Sequence, residues 1–314
     1  MRTRSSSPLL ILCYVLVFVL ILLAIGEWIL RSRVSEFTNA QKKNSEQGPE
    51  SFLLSANGVS FVTEDRANLS GWLIQGKLGY PAVVIAHNYG SNRSETLGNL
   101  ENLISGLNKL GYFVLLFDFR GHGDSTSRSA LGLKEATDMQ AALKATLKYR
   151  QIEKRLGVLG VGMGALAAAQ ACEKLDQVKI VILDSIYEDV SERVTKTIVE
   201  EVPATRYIRR ALLYSVDWNL RSILDVPSTK TDLARRLARL YPKAVIFVEH
   251  KPLRPEVKAL YDATKEPKEL MQFDETATGT LIGDVRQEYS TSLLEKIHQY
   301  LPPVSSEPTI ELKE

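Results

Sequence analysis

The most apolar segment of the chain lies at its N-terminus. Leu9 to Ile25 is unbroken apolar sequence, and Trp28 follows shortly after it. Leu9–Leu30 is long enough to span a bilayer as a helix, and a tryptophan near the end of a span is typical of a membrane interface. The pattern therefore predicts a transmembrane anchor over residues 9–30, behind a short tail at residues 1–8.

A cleavable signal peptide is the alternative interpretation, because Ala24-Ile25-Gly26 has the small-x-small form of a cleavage site. The apolar run is longer than a usual signal-peptide core, which favours the anchor. Arg2 and Arg4 precede the span, and positive charge tends to stay on the cytoplasmic side. The sequence thus predicts a single-pass membrane protein whose body lies outside the cytoplasm, in a periplasmic or extracellular space.

Behind the span, residues 31–50 are polar and lack apolar periodicity, which predicts a stalk. From about Ser51 onward, short β-rich runs alternate with stretches of helical pattern. The predicted strands are Val59–Thr63, Leu69–Ile74, Ala82–Ala86, Phe113–Phe117, Leu156–Leu159, Lys179–Leu183, Ala244–Val248 and Leu270–Phe273. The predicted helices are Glu95–Lys109, Leu133–Tyr149, Ala165–Leu175, Glu256–Ala263 and Val285–Leu301.

This alternation predicts an α/β fold with one doubly wound, mostly parallel sheet over residues 51–303. The first two strands are predicted to be antiparallel, and the continuous apolar runs that follow suit buried parallel strands. A mostly helical insertion is expected at about residues 187–241. Residues 304–314 are expected to form a disordered polar tail.

The charge, the cysteines and the histidines argue against nucleic acid, a disulfide and a metal. The formal net charge is only +2, which gives no reason to expect nucleic acid as a partner. Of the two cysteines, Cys13 lies in the apolar run and Cys172 in a predicted helix, so an intrachain disulfide is not expected. No pair among the four histidines has metal-ligand spacing, so neither a metal nor another cofactor is predicted.

Three segments, in order along the chain, carry a family pattern. Val83 to Arg93 is a strand followed by the turn His-Asn-Tyr-Gly, Asp118 to Ser125 reads Asp-Phe-Arg-Gly-His-Gly-Asp-Ser, and Leu156 to Ala165 contains Gly-Val-Gly-Met-Gly. They resemble the first strand-turn of α/β-hydrolases, their D-x-R-G-x-G-x-S segment and their nucleophile elbow, G-x-S-x-G. The resemblance covers roughly Ser51 to Leu301. It is greatest to bacterial serine hydrolases of the peptidase or esterase type that carry an N-terminal anchor, and it implies an α/β-hydrolase fold.

The resemblance also implies three catalytic positions, and none holds the expected residue. The elbow has Gly162 in place of the nucleophilic serine, the acid position holds Arg254, and the base position aligns best with Thr278. An arginine accepts no hydrogen bond and cannot orient an imidazole. No serine lies between Arg155 and Asp184, so a shift of register does not restore a nucleophile. A degenerate catalytic triad is therefore predicted.

Backbone donors at these turns are expected to remain. The resemblance implies that the N–H groups of Tyr89, after Asn88, and of Met163 converge beside the elbow as an oxyanion hole. It also implies that Arg254 lies at the same end of the sheet. We therefore predict an oxyanion-like pocket for a small anionic ligand, built from Asn88, Tyr89, Met163 and Arg254. In the alternative, Arg254 points to solvent and the pocket has collapsed.

The remaining polar residues of the motifs are expected to serve the structure of the loops rather than catalysis. They are His87, Asp118, Arg120, His122 and Asp124.

These observations favour a membrane-tethered pseudoenzyme that acts as a binding or scaffolding protein. Its expected partners are the lipid bilayer, through residues 9–30, and either a small anion or a membrane protein. The alternative is a serine hydrolase, esterase-like or peptidase-like, with a non-standard active site on Ser91, Ser125 or Ser185.

The predicted insertion is basic, either as a solvated helical face or as a surface that lies against anionic lipid. Its basic residues are Arg206, Arg209, Arg210, Arg221, Lys230, Arg235, Arg236 and Arg239.

Overall fold

A computed structural model of the protein describes residues 8–39, 47–199, 205–250, 252–274 and 284–304. The chain forms two compact units. The smaller unit combines Met1–Thr38 with Asp189–Thr229, and the larger unit combines Asn39–Glu188 with Lys230–Glu314.

The larger unit is built on one sheet, which has eight strands within the described residues. They are β1 (Ala56–Val62), β2 (Asn68–Ile74), β3 (Tyr80–Ala86), β4 (Phe113–Phe117), β5 (Ile152–Val161), β6 (Val178–Asp184), β7 (Ala244–His250) and β8 (Lys268–Phe273). Their order across the sheet is β1-β2-β4-β3-β5-β6-β7-β8. The pairs β1–β2 and β2–β4 are antiparallel, and every other pair is parallel. The predicted doubly wound, mostly parallel sheet is confirmed.

Helices connect these strands. Those of the larger unit are α2 (Arg93–Asn99), α3 (Glu101–Lys109), α4 (Glu135–Lys148), α5 (Met163–Ala171), α8 (Leu233–Ala238), α9 (Pro255–Ala263) and α10 (Asp284–Tyr300). Helix α3 packs against α10, and α4, α5, α8 and α9 form a row in which each helix contacts the next. The central strands are apolar at almost every position because both of their faces are buried under helices.

The smaller unit holds α1 (Pro8–Thr38), α6 (Val190–Val199) and α7 (Arg206–Leu224). Helix α1 has 31 residues and is long and apolar enough to cross a membrane, as either an anchor or a signal sequence. The apolar side chains from Leu9 to Ile29 are exposed, and Val34 near the end of the helix is buried. It contacts both α6 and α7. The helix continues to Thr38, through the first residues of the segment predicted as a stalk.

One predicted helix is divided. The segment Glu95–Lys109 forms α2 and α3, which are separated at Leu100, where the backbone leaves the helical region at φ −111° and ψ 24°. Gly98 and Asn99 precede the break, and both are weak helix formers. The hydrophobic periodicity continues across the break, because Leu97, Leu103 and Leu107 all enter the same core. The sequence pattern therefore predicted the buried face and did not predict the interruption.

Candidate functional site

The carboxyl ends of β3, β5, β6 and β7 meet at one edge of the sheet, where open α/β folds place their sites. Gly162 forms the turn between β5 and α5, with φ +53° and ψ −107°. This is a left-handed conformation that glycine adopts without steric cost. The Gly162 N–H donates to the Asp184 carbonyl oxygen at 2.8 Å, which fixes the turn to the end of β6. The sharp turn of an elbow is thus present, and it carries no side chain.

The amide of Asn88 fills the space beside this turn. Its Oδ1 accepts hydrogen bonds from the N–H of Tyr89 at 2.8 Å and from the N–H of Met163 at 3.1 Å. A Cβ atom added to Gly162 would lie only 2.1 Å from the same oxygen. The two backbone donors expected to form an oxyanion hole do converge, and they converge on an oxygen of the protein itself.

Arg254 precedes α9 and is held by internal acceptors. Its Nε donates to Glu249 Oε1 at 3.0 Å and its Nη2 to Glu249 Oε2 at 2.7 Å, which is a forked pair. Nη2 also donates to the Ile186 carbonyl oxygen at 2.9 Å. The positive charge predicted to attract an anion is therefore already paired with a buried carboxylate. Thr278, the residue aligned with the base position, lies outside the described residues.

His87 and His122 each have both ring nitrogens engaged by the backbone. His87 Nε2 accepts from the Phe119 N–H at 2.9 Å, so its Nδ1 carries the proton and donates to the Asn88 carbonyl oxygen at 2.7 Å. In the same way, His122 Nε2 accepts from the Gly90 N–H at 3.2 Å, and Nδ1 donates to the Arg120 carbonyl oxygen at 3.0 Å. Neither ring offers a lone pair to a substrate.

Burial keeps these two imidazoles neutral. It lowers the pKa of His87 from 6.5 to about 3, and the neighbouring His122 lowers it further. Burial also lowers the pKa of His122. The two rings stack edge to face with their centroids 4.9 Å apart. Their role is to hold the turn after β3 against the loop after β4.

Asp118 and Asp124 are held together by Arg93, which no sequence motif assigns to the site. Asp118 Oδ1 accepts from the Arg93 N–H at 2.7 Å, and the Arg93 guanidinium pairs with both carboxylates. Burial raises the pKa of Asp118, and the charge of Arg93 opposes that rise. Arg93 lies 25 residues before Asp118 and 31 before Asp124, so no local pattern links it to them.

Arg120 links three separate parts of the larger unit. Its Nη2 donates to Asp138 Oδ1 on α4 at 2.6 Å, and its Nη1 donates to Asp65 Oδ2 in the β1–β2 turn at 2.6 Å. The hydrogen bond from Arg120 lowers the pKa of Asp65 to about 2. Burial raises the pKa of Asp138 to about 6, even though Arg120 lowers it. Arg120 therefore has a structural role, like Asp118 and Asp124.

A second polar cluster lies at the ends of β6 and β7. The Ser185 hydroxyl donates to Asp184 Oδ1 at 2.7 Å, and His250 Nε2 lies 3.7 Å from the same oxygen. Asp184 Oδ2 accepts from the hydroxyl of Tyr289 on α10 at 2.7 Å. Ser185 has φ +54°, a left-handed conformation that is uncommon for a serine. The sequence gives no local sign of this arrangement, because Tyr289 on α10 is distant in sequence from Asp184 and Ser185.

The other candidate nucleophiles have structural positions. Ser125 is buried and its hydroxyl donates to the Asp118 carbonyl oxygen at 2.7 Å. Cys172 is buried, and burial raises the pKa of its thiol to about 12. Within the described parts of the chain, no cluster of three or more histidine, cysteine, aspartate or glutamate side chains could hold a metal ion.

The comparisons with known proteins identify the family. The α/β hydrolase fold family matches residues 81–241, from β3 through the elbow to the segment before β7. The chain belongs to this family. The match covers the His87 turn, the Asp118 to Ser125 loop and the Gly162 turn, so the three segments singled out in the sequence belong to one recognised fold.

Individual relatives agree with this assignment. The chain is 28% identical over 238 residues to the uncharacterized protein YfhR of Escherichia coli K12, which covers 71% of this chain and 73% of that protein. It superposes on the Pyrococcus furiosus esterase Pf2001 with a TM-score of 0.67 and 23% identity, over 84% of this chain and 98% of that one. A hypothetical protein from Pseudomonas aeruginosa, PA2218, gives a TM-score of 0.59 and 16% identity, over 84% and 100% of the two chains. At these identities the solved structures show the shared fold alone.

Proposed function

We propose that this chain is a membrane-tethered protein of the α/β-hydrolase fold that works by binding or scaffolding and does not hydrolyse substrates at the elbow. The observation that carries this proposal is the position of Asn88. Its Oδ1 accepts from the N–H groups of Tyr89 and Met163 and fills the space beside Gly162. Removing a nucleophile alone would leave an open oxyanion hole, and here that hole has an internal occupant.

Nucleophilic catalysis in this fold needs three parts together: a nucleophile, a base within hydrogen-bond reach and donors for the oxyanion. Gly162 supplies no nucleophile, and the lone pairs of His87 and His122 accept from backbone N–H groups. The two N–H donors, of Tyr89 and Met163, are both engaged by Asn88 Oδ1, and Arg254 at the acid position is paired with Glu249. Each of the three parts is absent or engaged among the described residues of this site, which supports a non-catalytic function.

Activity-based labelling tests this proposal. Purified protein should show no turnover of short acyl esters above buffer and no labelling by a fluorophosphonate. Gly162→Ser should remain inactive, because the new side chain would enter the space of Asn88 Oδ1 and, in the part of the chain that the structure describes, the imidazoles of His87 and His122 are engaged by backbone groups. Turnover that disappears when a single serine is replaced would contradict the proposal.

The second candidate is a serine hydrolase that uses the cluster at the ends of β6 and β7. It is favoured by the left-handed backbone of Ser185 and by the approach of Ser185 and His250 to the same oxygen of Asp184. Catalysis there would require the His250 imidazole to turn from Asp184 to the Ser185 hydroxyl and accept its proton. Fluorophosphonate labelling on Ser185 that is lost in Ser185→Ala and retained in Ser91→Ala would establish this alternative.

A small anion remains a candidate ligand of the elbow pocket. It would have to displace Asn88 Oδ1 from two N–H groups and compete with Glu249 for Arg254. Thermal shift with phosphate, sulfate and short carboxylates separates the cases. We expect no response from the wild type, and a response in Asn88→Ala, where both N–H groups lose their acceptor. A wild-type response that is reduced in Arg254→Ala would instead support an anion as the natural ligand.

The tether in this proposal is α1, retained in the mature protein. Glu27 and Arg31, which follow the Ala24-Ile25-Gly26 segment, make hydrogen bonds to Asn219 on α7, so the helix has partners beyond the site at which a signal peptidase would cut. We further propose that the body lies outside the cytoplasm, where a membrane protein is its partner. Protease protection of the full chain in intact cells, compared with inverted vesicles, tests the orientation.

A further inference from the structure

Helix α7 exposes a stripe of aromatic side chains. Tyr207, Tyr214 and Trp218 are 76%, 64% and 65% exposed, respectively. Their spacings of seven and four residues place all three on one face of the helix. Single exposed aromatic residues are ordinary on a soluble surface, whereas an aligned aromatic stripe indicates a surface that is covered.

Each ring of the stripe has an arginine over it. The distances from the guanidinium carbon to the ring centroid are 5.5 Å for Arg206 and Tyr207, 5.9 Å for Arg210 and Tyr214, and 5.9 Å for Arg221 and Trp218. Arg221 also pairs with Asp217 at 3.1 Å. Among the described residues, no carboxylate lies within ion-pair distance of Arg206 or Arg210. Aromatic rings flanked by arginines are the side chains that proteins place at the headgroup level of a membrane.

Polar contacts fix the level at which α7 meets α1. Asn219 Nδ2 donates to Glu27 Oε1 at 2.6 Å, and Arg31 Nη1 donates to Asn219 Oδ1 at 3.1 Å. The Ser215 hydroxyl also donates to Glu27. Glu27 lies two residues after the end of the apolar run Leu9–Ile25, and Arg31 lies one helical turn further along α1. Trp28, which is 69% exposed, lies between them. Trp28 thus adjoins Glu27 in the sequence, and Trp218 adjoins Asn219, so each tryptophan neighbours a residue of this polar contact.

We propose that α7 is a second membrane-binding element, which lies at the membrane–water interface beside the end of α1. Its aromatic stripe would enter the headgroup region, and Arg206 and Arg210 would contact anionic lipid phosphates. This inference rests on the proposed role of α1 as a tether, and it adds a lipid-binding surface that a single span does not require. The basic insertion predicted from the sequence would then bind lipid through the face of α7 that carries the aromatic stripe.

The three tryptophans of the chain provide an internal test, since they are Trp28 on α1, Trp72 on β2 and Trp218 on α7. Full-length proteins that keep one tryptophan, with phenylalanine at the other two positions, are reconstituted into phosphatidylcholine–phosphatidylglycerol vesicles. The vesicles carry a quencher either at the headgroup or deep in the acyl chains. We expect the headgroup quencher to act strongly on Trp218 and Trp28, and neither quencher to act on Trp72, which is half-buried beneath Arg93.

The outcomes separate the inference from the tether. If Trp28 is quenched and Trp218 behaves like Trp72, the α7 proposal is overturned while the tether stands. If Trp28 also escapes quenching, the tether itself is wrong. Deep quenching of Trp218, stronger than headgroup quenching, would also overturn an interfacial position.

The arginines are tested in the same single-tryptophan protein. Headgroup quenching of Trp218 should increase at least about twofold when phosphatidylglycerol is added to neutral vesicles, and Arg206→Gln with Arg210→Gln should abolish that increase. Arg235→Gln with Arg236→Gln, on α8 in the larger unit, is the matched control with the same loss of charge. Equal quenching in neutral and anionic vesicles would show that lipid charge plays no part.

Discussion

Residue 162 combines a backbone conformation and a spatial limit that together exclude a side chain. Its φ of +53° strains any residue other than glycine, and the Asn88 amide lies where a Cβ atom would go. An active elbow holds a serine in a similar turn and tolerates the strain in exchange for reactivity. Gly162 adopts this turn without strain, and Asn88 Oδ1 lies in the space beside it and accepts from two backbone N–H groups.

This coupling gives a prediction for Gly162→Ala. The variant should lose about 1–3 kcal/mol of unfolding free energy, from the backbone strain and from the contact with Asn88 Oδ1. Asn88→Ala should also destabilise, because two N–H groups lose their acceptor. In the double variant the contact disappears, so the combined loss should be smaller than the sum of the two single losses. Urea unfolding of the detergent-solubilised protein measures all three.

Gly58→Ala is the matched control, since Gly58 has open space where a Cβ would be added and no positive φ. It should change stability by less than about 0.5 kcal/mol. Additive losses at residues 88 and 162 would mean that the two side chains do not compete for one space.

His87 gives a prediction for pH dependence. Its folded pKa of about 3 lies below the ordinary 6.5, so the unfolded state takes up the proton first as pH falls. The stability that neutral His87 provides is fully present above pH 6.5 and is lost as pH falls from there towards 3. His87→Gln should therefore reduce the slope of unfolding free energy against pH in this window. Equal slopes in wild type and His87→Gln would contradict the assignment.

At the scale of elements, distant side chains fix the helices to the sheet. Tyr289 on α10 donates its hydroxyl to Asp184 at the end of β6, and both residues are buried. Arg120 connects the loop after β4 to α4 and to the β1–β2 turn. These ties all lie at the edge of the sheet where the family places its catalytic residues, so the polar network there stabilises the fold.

Tyr289→Phe tests the tie between α10 and β6. It leaves one oxygen of the buried Asp184 carboxylate without its hydroxyl donor, and we expect a loss of about 1–3 kcal/mol of unfolding free energy. Tyr300→Phe on the same helix removes a hydroxyl that donates to Glu269 at a more exposed site, and we expect a loss below about 1 kcal/mol. Similar losses in the two variants would show that burial of Asp184 does not govern the contribution.

At the scale of the whole molecule, α1 belongs to a unit with residues 189–229, the helical part of the insertion. An anchor that served only as a tether would need no such partners. Two polar residues of α7, Ser215 and Asn219, instead make hydrogen bonds to Glu27 and Arg31 of α1. Deleting α1 should therefore affect α7 as well as membrane attachment.

Fractionation tests both consequences. The full chain should remain in membranes through alkaline carbonate extraction, and a variant that begins at residue 39 should be released. In the released protein, amide hydrogen exchange should become faster in α7, which has lost the partners of Ser215 and Asn219. Exchange in the central strands β3 and β5 of the larger unit should stay slow. A mature wild-type protein that begins at Glu27 would show that α1 is cleaved as a signal sequence.

The sequence by itself determined the order in which strands and helices follow one another along the chain, the parallel core and the apolar N-terminal helix. These features follow from local hydrophobic periodicity, because a strand buried on both faces must be apolar at nearly every position. The absence of a serine at the elbow was also readable, since the elbow is one short continuous segment. The division of Glu95–Lys109 into two helices was missed, because periodicity continued through Leu100.

Only the tertiary structure decided what the polar residues of the site contact. Asn88 is 75 residues from Met163, and Arg254 finds the Ile186 carbonyl oxygen 68 residues away. Hydrogen-bond partners at such separations depend on how strands are ordered in the sheet and on which rotamers the packed core allows, and neither is encoded in a local pattern. The sequence could predict that two N–H groups converge beside Gly162, whereas the structure showed that the oxygen they bind belongs to Asn88.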